Sequence, residues 1–93
     1  MVVRIVSNFV IPGLEGESLG VAEGITLRQL LVEISRISEK RLEFFRKESD
    51  IVDSEDWEIS INNAPYYTQA MQLEKPLKDG DLVGIRISII GGG

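Results

Sequence analysis

The sequence predicts an α+β domain in which several short strands surround one amphipathic helix. Three observations carry this. Val2 to Phe9 and Trp57 to Ile61 alternate with the period of two of a strand. Thr26 to Ile37 places apolar residues at helical spacing behind a capping signal. Leu82 to Ile90 alternates again after a Lys78-Asp79-Gly80-Asp81 turn and runs into Gly91-Gly92-Gly93. With 93 residues the chain has enough material for one core and not for two. We divide it into a folded domain, residues 1–90, and a C-terminal glycine tail, residues 91–93, expected to be flexible.

In the first strand Val3 and Ile5 share one face, while Val2, Arg4 and Val6 share the other. Ile11-Pro12-Gly13-Leu14-Glu15-Gly16 reads as a hairpin connection, because Pro12 cannot donate to a ladder. Glu17 to Val21 then returns antiparallel. Thr26 is a good N-cap and Gln29 completes a capping box, with Ile25 placed to staple onto Leu30. Leu27, Leu30, Leu31, Ile34 and Ile37 form one stripe facing the core, with Arg28, Glu33 and Arg36 outside.

The periodicity blurs from Ser38 to Lys47, which could extend the helix or form a further turn. Glu48 to Asp56 is acidic but lacks the glycine that a calcium loop needs at its sharp turn, so it reads as a solvated loop. Trp57, Ile59 and Ile61 point inward, and Asn62-Asn63 is a turn because Asn tolerates positive φ. Tyr66 and Tyr67 open a short edge segment, followed by a connection over Gln69 to Glu74 with Met71 and Leu73 tucked beneath it. Gly80 is free to take positive φ in the next turn, and its flanking Asp79 and Asp81 read as bonding their own backbone rather than a metal. In the last strand Val83, Ile85, Ile87 and Ile89 share the core face. Leu82, Gly84, Arg86, Ser88 and Ile90 share the opposite one.

Composition narrows the chemistry. The chain has no Cys and no His, which removes disulfides, thiolate and imidazole metal sites, and His-based nucleophile activation. A formal net charge of −5 argues against a nucleic-acid partner, since phosphate binding rests on clustered Lys and Arg. No apolar run approaches the ~20 residues that cross a bilayer, and the N-terminus lacks signal-peptide features. The expectations are a cytoplasmic address, no membrane, no metal and no bound cofactor, in a protein that enters a reaction as substrate or carrier. Three successive glycines offer little to a core and lose much entropy on ordering. They suit a close grip on the backbone that leads to the terminal carboxylate.

The order strand, hairpin, strand, a helix opened by Gly24-Ile-Thr-Leu-Arg-Gln-Leu-Leu31, Ile61-Asn62-Asn63, then Pro76-Leu-Lys-Asp-Gly-Asp-Leu-Val83 and terminal glycines resembles the ubiquitin-like β-grasp sulfur carriers. The resemblance is to the small subunit of molybdopterin synthase and the thiamin-biosynthesis sulfur carrier, over nearly all of the chain outside Ser38 to Asp56. It implies a mixed four- to five-stranded sheet packed on one main helix. It also implies a carrier whose Gly93, preceded by Gly92, is adenylated by a ubiquitin-activating-type adenylyltransferase using ATP and converted to a thiocarboxylate. The sulfur would pass to the large subunit of a molybdopterin synthase-type enzyme or to another acceptor. The implied docking face comprises Val2, Val6, Arg86, Ser88, Ile90 and Gly91.

Two departures stand out. Counted from Asp79-Gly80-Asp81, the relatives' diglycine falls on Gly91-Gly92, so either the last strand carries an insertion or Gly93 is trimmed. The ending Ser88-Ile89-Ile90 lacks a proline pair and is more similar to the thiamin carrier, whereas the length leans towards the molybdopterin type or the ubiquitin-related modifiers. A thiamin-pathway carrier, a protein modifier and a non-activated β-grasp binding module are the alternatives.

Overall fold

A computed structural model of the chain describes residues 1–45, 52, 56–62, 64–65 and 73–87. The Tyr66-Tyr67 pair, Met71, Ile89 and most of the acidic segment lie outside the described residues, as do Asn63 and the glycine tail. The strands are β1 (Val2–Ser7), β2 (Ser18–Gly20), β3 (Trp57–Ile61), β4 (Ala64–Pro65) and β5 (Leu82–Ile87); one helix, α1, spans Leu27–Ile37. They form one mixed sheet in the order β2-β1-β5-β3-β4. β1 pairs antiparallel with β2 but parallel with β5, and β5 pairs antiparallel with β3. The last described strand is therefore the middle of the sheet.

The core lies between α1 and one face of this sheet. Leu27, Leu30, Leu31 and Ile34 of the helix pack in one cluster with Val3, Ile5, Ile59, Val83 and Ile85. The capping box forms as expected: the Gln29 N–H donates to the Thr26 hydroxyl at 3.1 Å, and the Thr26 N–H donates to Gln29 Oε1 at 3.0 Å. Arg36 pairs with Glu33 on the solvent side and holds its carboxyl below the usual carboxylate range. Arg28 was expected simply to face water. Instead its guanidinium bonds the Glu74 carboxylate and lies 5.4 Å from the centre of the Phe45 ring.

The helix ends at Ser38, and Glu39 and Lys40 both take positive φ. The blurred pattern after Ile37 is thus a termination, not an extension. Phe44 then drops into the core, its ring centre 4.5 Å from that of Trp57. The indole N–H of Trp57 donates to the Glu43 carbonyl at 2.9 Å. These contacts fix the segment after the helix onto the start of β3, and Val52 and Leu73 close further parts of the same cluster.

The strand face assignments hold except at one end. Ile87, expected in the core, is 40% exposed. Alternation sets which way a side chain points but not how much of it is covered. Asp79 also differs from expectation. Its carboxylate accepts from the N–H of Val2 at 2.7 Å, across 77 residues, while Asp81 does bond its own turn through the N–H of Lys78 at 2.8 Å.

The β1–β2 connection is more than loop geometry. Gly13 has φ +82°, and a Cβ there would come within 2.4 Å of the Ile37 carbonyl oxygen, whereas Gly16, at φ +73°, has open space around it. Gly13→Ala is expected to cost about 2–5 kcal/mol, combining left-handed strain with a backbone clash, against about 1–2 kcal/mol for Gly16→Ala; urea unfolding of the two variants measures the difference. In the same assay Ile85→Ala should cost about 2–5 kcal/mol and Ile87→Ala less than about 1 kcal/mol.

Candidate functional site

The expected reactive end follows β5, so the site is built from what fixes that strand and what surrounds it. At its start, Asn62 turns out of β3 with φ +53°. Its N–H donates to the Leu82 carbonyl at 2.7 Å. Its side-chain oxygen accepts from the Leu82 N–H at 2.9 Å, and its side-chain amide donates to Asp81 Oδ1 at 3.1 Å. The same turn grips β1. Besides the Asp79–Val2 bond, the N–H of Gly80 donates to the Val2 carbonyl and that of Arg4 to the Asp81 carbonyl, each at 2.8 Å. Leu77 N–H donates to the Ile25 carbonyl at 2.7 Å, which ties the entry of β5 to the residue before the helix cap.

At the other end, β1 stops two pairs short of Ile87. Its last register partner is Ser7 opposite Ile85. The Asn8 side chain then bonds both polar groups of Ile87: Oδ1 accepts from the Ile87 N–H at 2.9 Å, and the side-chain amide donates to its carbonyl at 3.2 Å. On the other side Ile87 is opposite Trp57 of β3. Asparagine side chains therefore complete the ladder at the first and the last residue of β5. Sequence reasoning singled out Asn62 but missed Asn8. An Asn at a strand end reads as a local turn former, and nothing in the local pattern reveals a partner 79 residues away.

The sheet face turned away from α1 carries Val2, Val6 and Arg86, three of the expected docking residues. Val2 and Val6 are 47% and 46% exposed, and Arg86 is exposed as well. Val6, Gly84 and Ser60 stand side by side across three strands, with Arg86 opposite Glu58 in the next row on that face. Gly84 is buried because the Ser60 hydroxyl lies over it, 2.2 Å from where a Cβ would stand. The middle of the face is therefore flat. Ser88, Ile90 and Gly91, and with them Gly92 and Gly93, lie outside the described residues. Among the described residues, no group of three or more metal-ligating side chains comes together, and no helix is long and apolar enough to cross a membrane.

A search of solved structures returns a protein described as molybdopterin converting factor, subunit 1, from Pyrococcus furiosus. It superposes with a TM-score of 0.59 at 25% sequence identity, over 95% of this chain and 98% of that one. The fold is that of a ubiquitin-like β-grasp domain. The resemblance to the β-grasp sulfur carriers, read from Asn62, the Asp79-Gly80-Asp81 turn and the glycines, is borne out by this match. No protein-family model and no curated protein sequence matches the chain. Within this β-grasp domain Asn62 is expected to matter through its side chain as well as its φ. Asn62→Ala should destabilise by about 1–3 kcal/mol, and Asn62→Gly, which relieves the strain but still lacks the amide, by about 1 kcal/mol. Guanidinium unfolding distinguishes the two.

Proposed function

We propose that this chain is a sulfur carrier that acts with the large subunit of a molybdopterin synthase-type enzyme, and that the carboxylate of Gly93 carries the sulfur. The observation that supports this reading is the end-to-end match with a molybdopterin converting factor subunit, taken with a sequence that runs from the central strand into three glycines. The name of that neighbour favours the molybdopterin pathway over the thiamin pathway.

The chemistry follows from what a carboxylate lacks, namely a leaving group. In the activating enzyme a carboxylate oxygen of Gly93 attacks the α-phosphorus of ATP; pyrophosphate leaves and an acyl-adenylate forms. A hydrosulfide-level sulfur nucleophile, delivered by a donor, then attacks the acyl carbon. The C–S bond forms, the C–O bond to phosphorus-bound oxygen breaks, AMP departs, and the product is a thiocarboxylate. No residue of this chain need act as base, consistent with the absence of His and Cys. Glycine at the last positions lets the backbone pass a channel too narrow for a Cβ. Val2, Val6 and Arg86 form the docking face with both the activating enzyme and the large subunit, extended by Ser88, Ile90 and Gly91. The cytoplasm is the setting for this exchange.

Incubation of the full chain with ATP, its adenylyltransferase and a sulfide donor should raise the intact mass by the exchange of one oxygen for one sulfur. An unreacted C-terminus sinks the reading, and adducts on lysines of other proteins would identify a modifier instead. Removing Gly92 and Gly93 should abolish the gain while changing the unfolding free energy by less than about 0.5 kcal/mol.

A further inference from the structure

We propose that Arg4 is a specificity-determining residue of the docking face, and that the partner surface covering this face sets an Asp or Glu carboxylate opposite Arg4, between two apolar patches. The role rests on the carrier reading above, with the large subunit as the occupant. Val2, Arg4 and Val6 project from the same side of β1, and all three are exposed. At the rise of a strand the two valines stand about 13 Å apart, with Arg4 midway between them. Across the sheet Arg4 is opposite Ser18 on one side and Leu82 on the other, neither of which carries a charge. The ion pairs among the described residues join Arg28 to Glu74 and Arg36 to Glu33, so the guanidinium of Arg4 enters none of them. Among the described strand residues the acid on this face is Glu58, opposite Arg86. It lies two strands and four residues from Arg4, on the order of 16 Å by strand spacing and rise, beyond the screening length of about 10 Å at moderate salt.

A partner surface that buries both valines cannot leave Arg4 in water. Against apolar atoms alone, the guanidinium would lose its hydration and gain nothing in return, which opposes binding. A carboxylate at that point instead accepts two parallel N–H bonds from the guanidinium fork, while the Arg4 stem lies along the neighbouring apolar surface. This preference runs against the charge of the chain as a whole. A formal net charge of −5 by itself steers the chain towards basic surfaces. On this face Arg4 and Arg86 stand against Glu58, so the strands are locally positive. The direction of the response to charge reversal at Arg4 separates the two cases.

The test uses the full chain, its Arg4→Gln and Arg4→Glu variants, and Arg41→Glu as a control for net charge, Arg41 being exposed and outside the strands. Association with the large subunit of the molybdopterin synthase-type enzyme of the same organism is followed by stopped-flow, and self-association of the chain by analytical ultracentrifugation. Arg4→Glu is expected to slow association about tenfold or more, Arg4→Gln less, and Arg41→Glu by less than about twofold. The gap between wild type and Arg4→Glu should narrow as salt rises from about 0.1 M to about 1 M, where the screening length falls from about 10 Å to about 3 Å. The variants should unfold within about 4 °C of wild type, as expected for exposed positions; if Arg4→Glu does not fold, Arg4→Gln carries the comparison. Association unchanged or faster in the Arg4 variants, or a loss equalled by Arg41→Glu, overturns the role and leaves the carrier reading in place. Self-association of the wild-type chain that Arg4→Glu abolishes does the same, since the occupant is then a second copy. A wild-type chain that forms no complex with the large subunit overturns both.

Discussion

The parallel pairing of β1 with β5 is the constraint on which the architecture depends. Two parallel neighbours cannot be joined by a tight turn, so the chain between them must cross over and return. Here that crossover contains the helix, whose apolar stripe covers the face formed by Val3, Ile5, Val83 and Ile85. The pairing also unites the two ends of the fold: Val2 is held by Asp79 and Gly80, and Arg4 by Asp81. With β3 on its other side, β5 is paired along both edges and occupies the centre of the sheet.

Much of this was legible in the residues, for physical reasons that differ by element. Thr26 and Gln29 announce the helix because a cap is a local device, complete within four residues. Asn62 and Gly80 declare their turns because positive φ is a property of the residue itself. The two sheet faces follow from alternation. What a local pattern cannot contain is the extent of cover and the identity of distant partners. Ile87 has the expected parity but is exposed, Asp79 reaches across to Val2, and Asn8 reaches across to Ile87. Gly13 looks like loop punctuation until the last turn of the helix is seen against it.

The candidate site divides along the same line. The chemistry proposed for it rests on the glycines of the sequence and on a composition without His or Cys. The parity of Val2, Val6 and Arg86 was readable from alternation, and the structure places all three on the face away from the helix. The devices that hold β5 at its two ends were only half readable, because a side-chain amide that completes a ladder is defined by the strand it meets and not by its own neighbours in sequence.

The direction of β5 bears on how the domain responds to force. Because β5 runs parallel to β1, tension applied to its C-terminal end against the start of β1 acts along the strands. The hydrogen bonds between them are then loaded together in shear, rather than opened one after another like a zipper. Under the proposed carrier reading, a partner that gripped the start of β1 while drawing on the end of β5 would pull in this resistant direction.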